Sequence, residues 1–317
     1  MKVLLTGITG FVGSHLLDYL KNRDDITIYG MVRDQNKYDK LKIKNLYAFV
    51  TLEEAMNRFN FDYIIHLAGK AHDIKNVSDK NDYHLSNVKL TQDLFDAFSR
   101  QKKEGCFIYI SSVSVFSHGS NHPFTEDIDP DPLTAYGSSK FTAEKYIQSN
   151  PLANGKRYCI LRPSIIYGPN SKGNLNLLFN MVKSGIPYPL GAFDNYRSFL
   201  SIHNFCYVIN LLIGQNLPSG VYHIADDDVI STKEVVEIMY ETLEKKKRII
   251  NIPRKLVEIV AKFGDYYPMS INTERLSKLT QNFIVSNKKL LQALDTDLPV
   301  KTREGLRDTF QHYIENN

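Results

Sequence analysis

Three side chains of types suited to moving a proton stand in two segments of this 317-residue chain. Tyr136 and Lys140 are four residues apart, which places them on one face of a helix, and Ser112 ends an apolar run. A phenol has a pKa of about 10, too high for an efficient base at neutral pH, but an adjacent ammonium favours the phenolate. We therefore predict that Lys140 lowers the pKa of Tyr136 and that Ser112 hydrogen-bonds a substrate oxygen. Such a set would move the proton of an alcohol or a ketone.

The tyrosine–lysine spacing is weak on its own, because Tyr38 and Lys42 repeat it. The surroundings separate the two pairs. Tyr136 begins a predicted helix, and the preceding strand ends in Ser111 and Ser112, at the carboxyl edge where open α/β sheets bind ligands. The alternatives are a surface Tyr/Lys pair and a serine that caps a turn.

A glycine-rich turn near the start of the chain predicts a dinucleotide site. The segment Thr6–Gly13 follows a predicted strand and opens a predicted helix. Glycines at this spacing permit a tight turn, close approach of a pyrophosphate and close packing of helix on strand, and the helix start presents free N–H groups. The predicted cofactor-binding residues of this turn are Gly7, Thr9, Gly10, Phe11, Val12 and Gly13.

The end of the second predicted strand bears on the choice of dinucleotide. An acidic residue there would hold the ribose of NAD, whereas an arginine suits the 2′-phosphate of NADP. The sequence has Val32 at that place, followed by Arg33 and Asp34. Arg33 therefore favours NADP(H), and NAD(H) remains the alternative, with Asp34 on the ribose and Arg33 in a solvated loop.

Strands and helices alternate over the first half, which predicts an α/β fold, a Rossmann-type doubly wound parallel sheet. Predicted strands are Lys2–Thr6, Ile26–Val32, Asp62–Leu67, Cys106–Ser111, Tyr158–Arg162 and Val221–Ala225, and predicted helices are Leu52–Phe59, Ser86–Arg100, Thr134–Gln148 and Leu175–Lys183. The pattern loosens after Gly168, where 169–195 carry glycines, prolines and asparagines around one helix, and the chain after Ala225 is mostly helical. We expect a dinucleotide-binding domain from 1–168 and about 196–228, and a smaller, mostly helical substrate domain from 169–195 and 229–317.

Together these motifs resemble the extended short-chain dehydrogenase/reductases of the NAD-dependent epimerase/dehydratase family. The matching pieces are Thr6–Gly13, His66–Gly69, Asn87, Ser111-Ser112, Tyr136–Lys140, Leu161-Arg162-Pro163 and Ile166–Pro169. They cover most of the first 200 residues in the order that the family has.

The resemblance implies further site residues. Leu67, Ala68 and Gly69 would line the cofactor, Asn87 would order the strand behind the active site, and Pro163 would contact the nicotinamide end. In the second half, Asn174 and Arg197 resemble the residues that meet the nucleotide diphosphate, and the planar fork of an arginine suits a phosphate. The alternatives are a turn residue for Asn174 and a surface ion pair for Arg197. The resemblance leaves His72, Asp73 and Lys75 without a role.

Departures from the family pattern narrow the expected reaction. Val115-Phe116-Ser117 replaces the usual Val-Tyr-Gly, and Ser114 stands where 4,6-dehydratases carry an acidic pair, which argues against dehydration. The resemblance implies a UDP-sugar oxidoreductase acting at C4. Arg33 favours a reductase of a UDP-4-keto-6-deoxy-N-acetylhexosamine in surface-polysaccharide biosynthesis. The alternative is a UDP-glucose or UDP-N-acetylglucosamine 4-epimerase with bound NAD, and a distant one is a non-catalytic dinucleotide sensor.

Composition excludes several other classes of protein. The net charge is +4, basic residues are scattered, and the run 244–248 is short, so no nucleic-acid partner is expected. Three separated cysteines give neither a disulfide scaffold nor a metal-ligand spacing. With no leader and no long apolar run, we expect a cytoplasmic protein without a membrane partner. The resemblance also implies a homodimer built on the helices Ser86–Arg100 and Thr134–Gln148.

Overall fold

A seven-stranded parallel sheet forms the centre of the protein. The computed structural model describes residues 1–32, 46–49, 51–70, 80–153, 155–171, 173–266 and 272–316. The strands are β1 Lys2–Thr6, β2 Thr27–Met31, β3 Leu46–Phe49, β4 Tyr63–His66, β5 Gly105–Ile110, β6 Lys156–Pro163, β7 Ile165–Tyr167, β8 Tyr196–Ser201, β9 Gly220–Ile224 and β10 Val229–Ser231. The central sheet has the order β3-β2-β1-β4-β5-β6-β9, and every neighbouring pair is parallel.

Helices cover both faces of this sheet. They are α1 Phe11–Leu20, α2 Leu52–Arg58, α3 Lys80–Tyr83, α4 Leu90–Arg100, α5 Ala135–Ser149, α6 Asn174–Lys183, α7 Ile202–Leu212, α8 Thr232–Thr242, α9 Arg254–Gly264, α10 Thr273–Thr280, α11 Lys288–Leu294 and α12 Thr302–Glu315. Side chains alternate along a strand, so Val3 and Leu5 enter a core shared with α1 and α7, whereas Leu4 enters one shared with α4 and α5. The predicted doubly wound α/β fold is confirmed.

A second, smaller sheet, which the sequence does not predict, is formed by β7, β8 and β10. It has the order β10-β8-β7, with β8 antiparallel to β10 and parallel to β7. Its side chains Tyr167, Phe199 and Ile230 share a third core with helices α6, α8 and α12. The sequence pattern missed this sheet because its strands are only three to six residues long and β8 begins with a tyrosine and an arginine.

One predicted helix, Ser86–Arg100, is interrupted in the structure. The regular helix α4 begins only at Leu90, and residues His84–Lys89 form a wider π-helical turn. Such turns occur mostly as single turns inside α-helices, and frequently at functional sites. Here the turn contains Asn87, which is fully buried. Across the described ranges, no helix is both long and apolar enough to cross a bilayer.

Candidate active site

The glycine-rich turn connects β1 to α1 and lies against the end of β4. Gly7 has a φ of +73°, and a side chain there would also stand 2.8 Å from the backbone nitrogen of Ala68. A Cβ on Gly13 would lie 2.1 Å from the carbonyl oxygen of Gly7, so helix and turn touch there. At both glycines the backbone packs too closely to leave room for a side chain, as the sequence predicts.

The start of α1 is free to receive an anion. Gly10 precedes the helix, and among the described residues no side chain caps the first turn. Thr9 is exposed, while Phe11 and Val12 are half-buried beside it. The turn from Gly7 to Gly13 forms a cradle with no room for a Cβ, and uncapped N–H groups at the start of the helix follow it. This arrangement fits the pyrophosphate of a dinucleotide.

Asn87 forms hydrogen bonds with both the loop after β4 and helix α5, which contains Tyr136 and Lys140. Its side-chain oxygen accepts from the backbone N–H of Lys70 at 2.7 Å, and its amide donates to the Lys70 carbonyl oxygen at 3.1 Å and to Ser139 Oγ at 2.9 Å. The loop Leu67–Gly69 is thereby held beside α5. A Cβ on Gly69 would lie 2.9 Å from Asn87 Oδ1 and 3.2 Å from Lys140 Nζ, so the predicted cofactor path ends at the predicted catalytic lysine.

The structure brings Ser112, Tyr136 and Lys140 together at the carboxyl edge of the sheet. Ser112 follows β5 and caps a short 3₁₀ turn, where its Oγ accepts from Ser114 N at 3.1 Å. Tyr136 lies in the first turn of α5, and the Ser112 side chain is near enough to its hydroxyl to act on the pKa of the phenol. Gly137 allows this contact, because a Cβ there would stand 2.1 Å from the Ser114 carbonyl oxygen.

Burial, rather than the lysine, sets the pKa of the phenol. Burial raises the pKa of Tyr136 to about 12, Tyr83 adds to the rise, and the hydrogen bond with Ser112 opposes it. The prediction that Lys140 lowers this pKa is not seen in the structure. Its ammonium instead donates to the Ile110 carbonyl oxygen at 2.8 Å and lies 4.8 Å from the centre of the Tyr109 ring. Burial lowers the pKa of Lys140 itself to about 8, against an opposing effect of Glu144.

An ion pair that the sequence does not predict lies directly behind the predicted catalytic residues. Glu144 accepts from Arg162 Nε at 3.0 Å and from a second guanidinium nitrogen at 2.6 Å, and both side chains are buried. Ser111 also donates to Glu144. The pair joins α5 to β6 next to Ser112. One signal was available, since Glu144 lies four residues after Lys140 and hence one helical turn further on the same face.

A second feature that the sequence does not predict is a hydrogen-bond network centred on His66, at the end of β4. His66 is fully buried, and its two ring nitrogens lie 2.7 Å from Thr6 Oγ1 and 3.0 Å from Thr91 Oγ1. Burial, with the nearby charge of Lys140, lowers the pKa of His66 to about 3, so the ring stays neutral at pH 7. Thr6 Oγ1 accepts from the Ala68 N–H at 3.0 Å, and Thr91 Oγ1 donates to the Asn87 carbonyl oxygen at 2.6 Å. The network fixes the loop that follows β4.

The remaining predicted residues lie in other parts of the fold. Pro163 is buried at the end of β6. Arg197 is half-buried in β8 of the second sheet, where burial lowers its pKa and Tyr188 opposes the change. Asn174 is the first residue of α6, and its side chain is outside the description.

Several predictions fall on residues outside the described ranges. Arg33 and Asp34, on which the choice between NADP and NAD depends, lie in 33–45. The second tyrosine–lysine pair, Tyr38 and Lys42, lies there too. The three residues left without a role, at positions 72, 73 and 75, lie in 71–79.

Comparison with protein families gives a match over most of the chain. The model of the NAD dependent epimerase/dehydratase family matches residues 3–225. The chain is 30% identical to a UDP-glucose 4-epimerase of Vibrio cholerae, over 100% of this chain and 96% of that protein. It is 24% identical to a GDP-6-deoxy-D-mannose reductase of Pseudomonas aeruginosa, over 80% of this chain and 84% of that protein.

Solved structures show the same fold. The structure of a Bacillus cereus UDP-glucuronic acid 4-epimerase, in complex with UDP-glucuronic acid and NAD, superposes with a TM-score of 0.76. The superposition covers 100% of both chains, and the two sequences are 19% identical.

Proposed function

The chain belongs to the NAD dependent epimerase/dehydratase family, and we propose that this enzyme is a UDP-sugar 4-epimerase that keeps NAD bound through its catalytic cycle. The proposal rests on one observation: the cradle that fits a dinucleotide lies at the same edge of the sheet as Ser112, Tyr136 and Lys140. The relative from Vibrio cholerae, matched along this entire chain, is a UDP-glucose 4-epimerase, and this supports C4 as the reacting carbon.

The chain's own residues would move the proton and orient the sugar. Tyr136 would take the proton of the C4 hydroxyl, and Ser112, whose side chain lies near this phenol, would donate to the same oxygen. When bound, NAD would supply a reversible hydride acceptor for C4 and a positive ring whose charge favours the phenolate. Lys140 would hold the ribose next to that ring. Inversion requires that the 4-keto sugar offer its other face before the hydride returns.

We propose NAD rather than NADP as the resident cofactor. An epimerase returns the hydride it takes, so it gains nothing from the cellular supply of NADPH, and NAD is bound in the Bacillus cereus relative. The expected preference for NADP(H) depended on Arg33 alone. The predicted contacts of the turn, from Gly7 to Gly13, and of Leu67–Gly69 serve either dinucleotide.

The substrate would lie between the central sheet and the second sheet. We propose that 169–195 and 229–317 form the substrate domain, since residues of both ranges share the third core. Arg197, half-buried in β8, and Asn174, at the start of α6, would bind the diphosphate of UDP. Pro163, at the end of β6, would contact the nicotinamide. A homodimer through α4 and α5 stays a prediction.

The predicted reductase is the second candidate, and one relative is a reductase of a sugar nucleotide. The two reactions differ in what they consume. A reductase oxidises one NADPH for each 4-keto sugar, whereas an epimerase needs no added cofactor. This difference makes them separable in one assay.

The experiment follows purified protein by NMR with UDP-glucose, UDP-N-acetylglucosamine and UDP-glucuronic acid, each without added cofactor. We expect one of these sugars to reach an equilibrium mixture with its C4 epimer. Parallel samples contain a UDP-4-keto-6-deoxy-N-acetylhexosamine with NADPH. NADPH oxidation in those samples, with no interconversion of the three UDP-sugars, would replace the epimerase with the reductase.

A further inference from the structure

Helix α9 exposes a stripe of large apolar side chains, although another side of the same helix is already packed. Val257 and Ala261 are buried in the third core, where they hold α9 against the protein. We call the exposed set the α9 stripe; its members are Leu256 (54% exposed), Ile259 (49%), Val260 (44%) and Phe263 (56%). Their spacing of i, i+3, i+4 and i+7 makes one continuous face along the helix. A contiguous apolar face of this kind marks an interaction site.

Basic side chains border the α9 stripe. At 100° per residue, Lys255 and Lys262 lie along one edge of the stripe, and Glu258 lies beyond them on the far side. Neither lysine has an acidic partner within the described part of the chain. A face of Leu, Ile, Val and Phe edged by lysines is the pattern of helices that lie flat in a lipid–water interface, with the ammonium groups at the level of the headgroups.

The chain that leads into α9 strengthens this charge pattern. Residues 245–262 carry seven lysines or arginines and one carboxylate, and the run 245–248 is fully on the surface. Two exposed isoleucines lie along this run: Ile250 follows it, and Ile186 is next to Gly185, whose carbonyl oxygen accepts from Arg248. Three of the seven lie on α9 and four precede it, and two of them, Lys247 and Arg254, also form ion pairs with Glu241 and Asp194. Clusters of four to eight basic residues at an amphipathic helix are attracted to anionic lipids, at about 1 kcal/mol for each residue near the surface.

From the stripe and its basic border we propose that α9 docks this enzyme on the surface of a bilayer that contains anionic lipids. The helix would lie in the interface rather than cross it, in keeping with the lack of a spanning helix in the described ranges. A second copy of the chain fits the surface less well. A twofold interface places the same patch against itself, so lysines would face lysines. The proposal departs from the expectation of no membrane partner and uses no catalytic step, so it stands or falls apart from the proposed reaction.

The test measures co-sedimentation of the full chain with vesicles of phosphatidylglycerol and phosphatidylethanolamine, and with vesicles of phosphatidylcholine alone. We expect binding to the anionic vesicles only, and weaker binding as salt is added, because salt screens the lysines. Ile259→Ser combined with Phe263→Ser should lower the partition coefficient at least about tenfold. Lys255→Gln should lower it about fivefold at low salt.

The matched control is Tyr47→Ser, which changes an equally exposed apolar residue (55%) on edge strand β3 of the central sheet. It should leave vesicle binding unchanged. The melting temperature of each variant will be measured to check that the variant is folded. Equal binding of the double variant and the wild type, or no binding of the wild type to anionic vesicles, would overturn the proposal. A wild-type dimer that the double variant turns into a monomer, without vesicle binding, would assign the stripe to self-association instead.

Discussion

In a folded protein most polar side chains are exposed and most large apolar side chains are buried. The edge of the sheet around Tyr136 and Lys140, called here the predicted catalytic edge, and helix α9 depart from this distribution in opposite directions. At the predicted catalytic edge, His66, Asn87 and Lys140 are polar and almost completely buried. On α9, apolar side chains such as Phe263 are half in solvent. Burying a polar group costs free energy, which hydrogen bonds offset or a function explains. An exposed apolar stripe is explained by a partner that covers it. We therefore expect the buried polar residues to serve chemistry and the exposed stripe to serve contact with another surface.

The two regions should therefore respond differently to substitution. Changes at the predicted catalytic edge should alter turnover or the free energy of unfolding, because those polar groups are desolvated and mutually bonded. Changes on the α9 stripe should alter both far less, because these side chains stay about half exposed in the folded protein. Four variants test this contrast.

Tyr136→Phe should give the largest effect. Removal of the phenol removes the acid/base group, so turnover should fall by a factor of about 10²–10⁴, while NAD stays bound. Steady-state rates with the UDP-sugar substrate and the absorbance of the released nucleotide measure both. Tyr146→Phe is the matched control, because Tyr146 is on the same helix α5 and its hydroxyl donates to Asp96 away from the site. A Tyr136→Phe enzyme with the wild-type rate would remove this tyrosine from the mechanism.

Glu144→Gln should give the largest loss of stability. It leaves the Arg162 guanidinium buried without its counter-charge, which costs about 3–5 kcal/mol of the free energy of unfolding. Urea unfolding at pH 7 measures the loss. The double variant Glu144→Leu with Arg162→Met should recover most of it, since it removes both charges. If the double variant were no more stable than Glu144→Gln, the buried charge would not be the cause.

Lys140→Met should raise stability while it lowers activity. Burial lowers the pKa of Lys140 from the ordinary 10.5 to about 8, so below pH 8 the folded protein carries a charge that costs free energy. Between pH 8 and 10.5 the unfolded chain binds more protons than the folded protein, and the wild type gains stability as the pH rises. At pH 7 we expect a gain of up to about 3 kcal/mol for the variant, shrinking toward pH 10.5.

Urea unfolding of both proteins at pH 7 and pH 9.5 checks this dependence. A Lys140→Met variant less stable than the wild type at pH 7 would mean that the bond to the Ile110 carbonyl oxygen outweighs the cost of burying the charge.

The α9 double variant, Ile259→Ser with Phe263→Ser, should have the smallest effect on the protein in solution. Exposed side chains contribute little to folding, so the free energy of unfolding should change by no more than about 0.5 kcal/mol. Turnover of a soluble UDP-sugar should be unchanged. A loss of several kcal/mol would show that the stripe packs against the protein, and the contrast between the two regions would fail.

The sequence predicts the central sheet and the cofactor turn well, because both depend on local patterns. Buried strands appear as apolar runs, and Gly7 and Gly13 occupy places where the backbone leaves no room for a side chain. The order of the motifs along the chain also predicts which strand ends meet. Ser112, Tyr136 and Lys140 are brought together as the spacing and the strand order require.

Features that depend on long-range contacts were missed. The Glu144–Arg162 pair and the His66 network join residues 18 to 60 positions apart, and no local pattern pairs them. The π-helical turn at His84–Lys89 has no periodic signal, because one extra residue per turn resembles an ordinary helix. The rise in the pKa of Tyr136 also needs the structure, since it follows from how deeply α5 buries the phenol.

The most direct test of the account follows the hydrogen at C4. The enzyme, without added cofactor, is incubated with UDP-N-acetylglucosamine that carries deuterium at C4, and with the other UDP-sugars labelled in the same way. We predict that the epimerised product keeps the deuterium at C4 and that the protein releases NAD on denaturation, since the hydride leaves and returns within one site. Product without deuterium, or turnover that appears only with NADPH and a 4-keto sugar, would contradict the account.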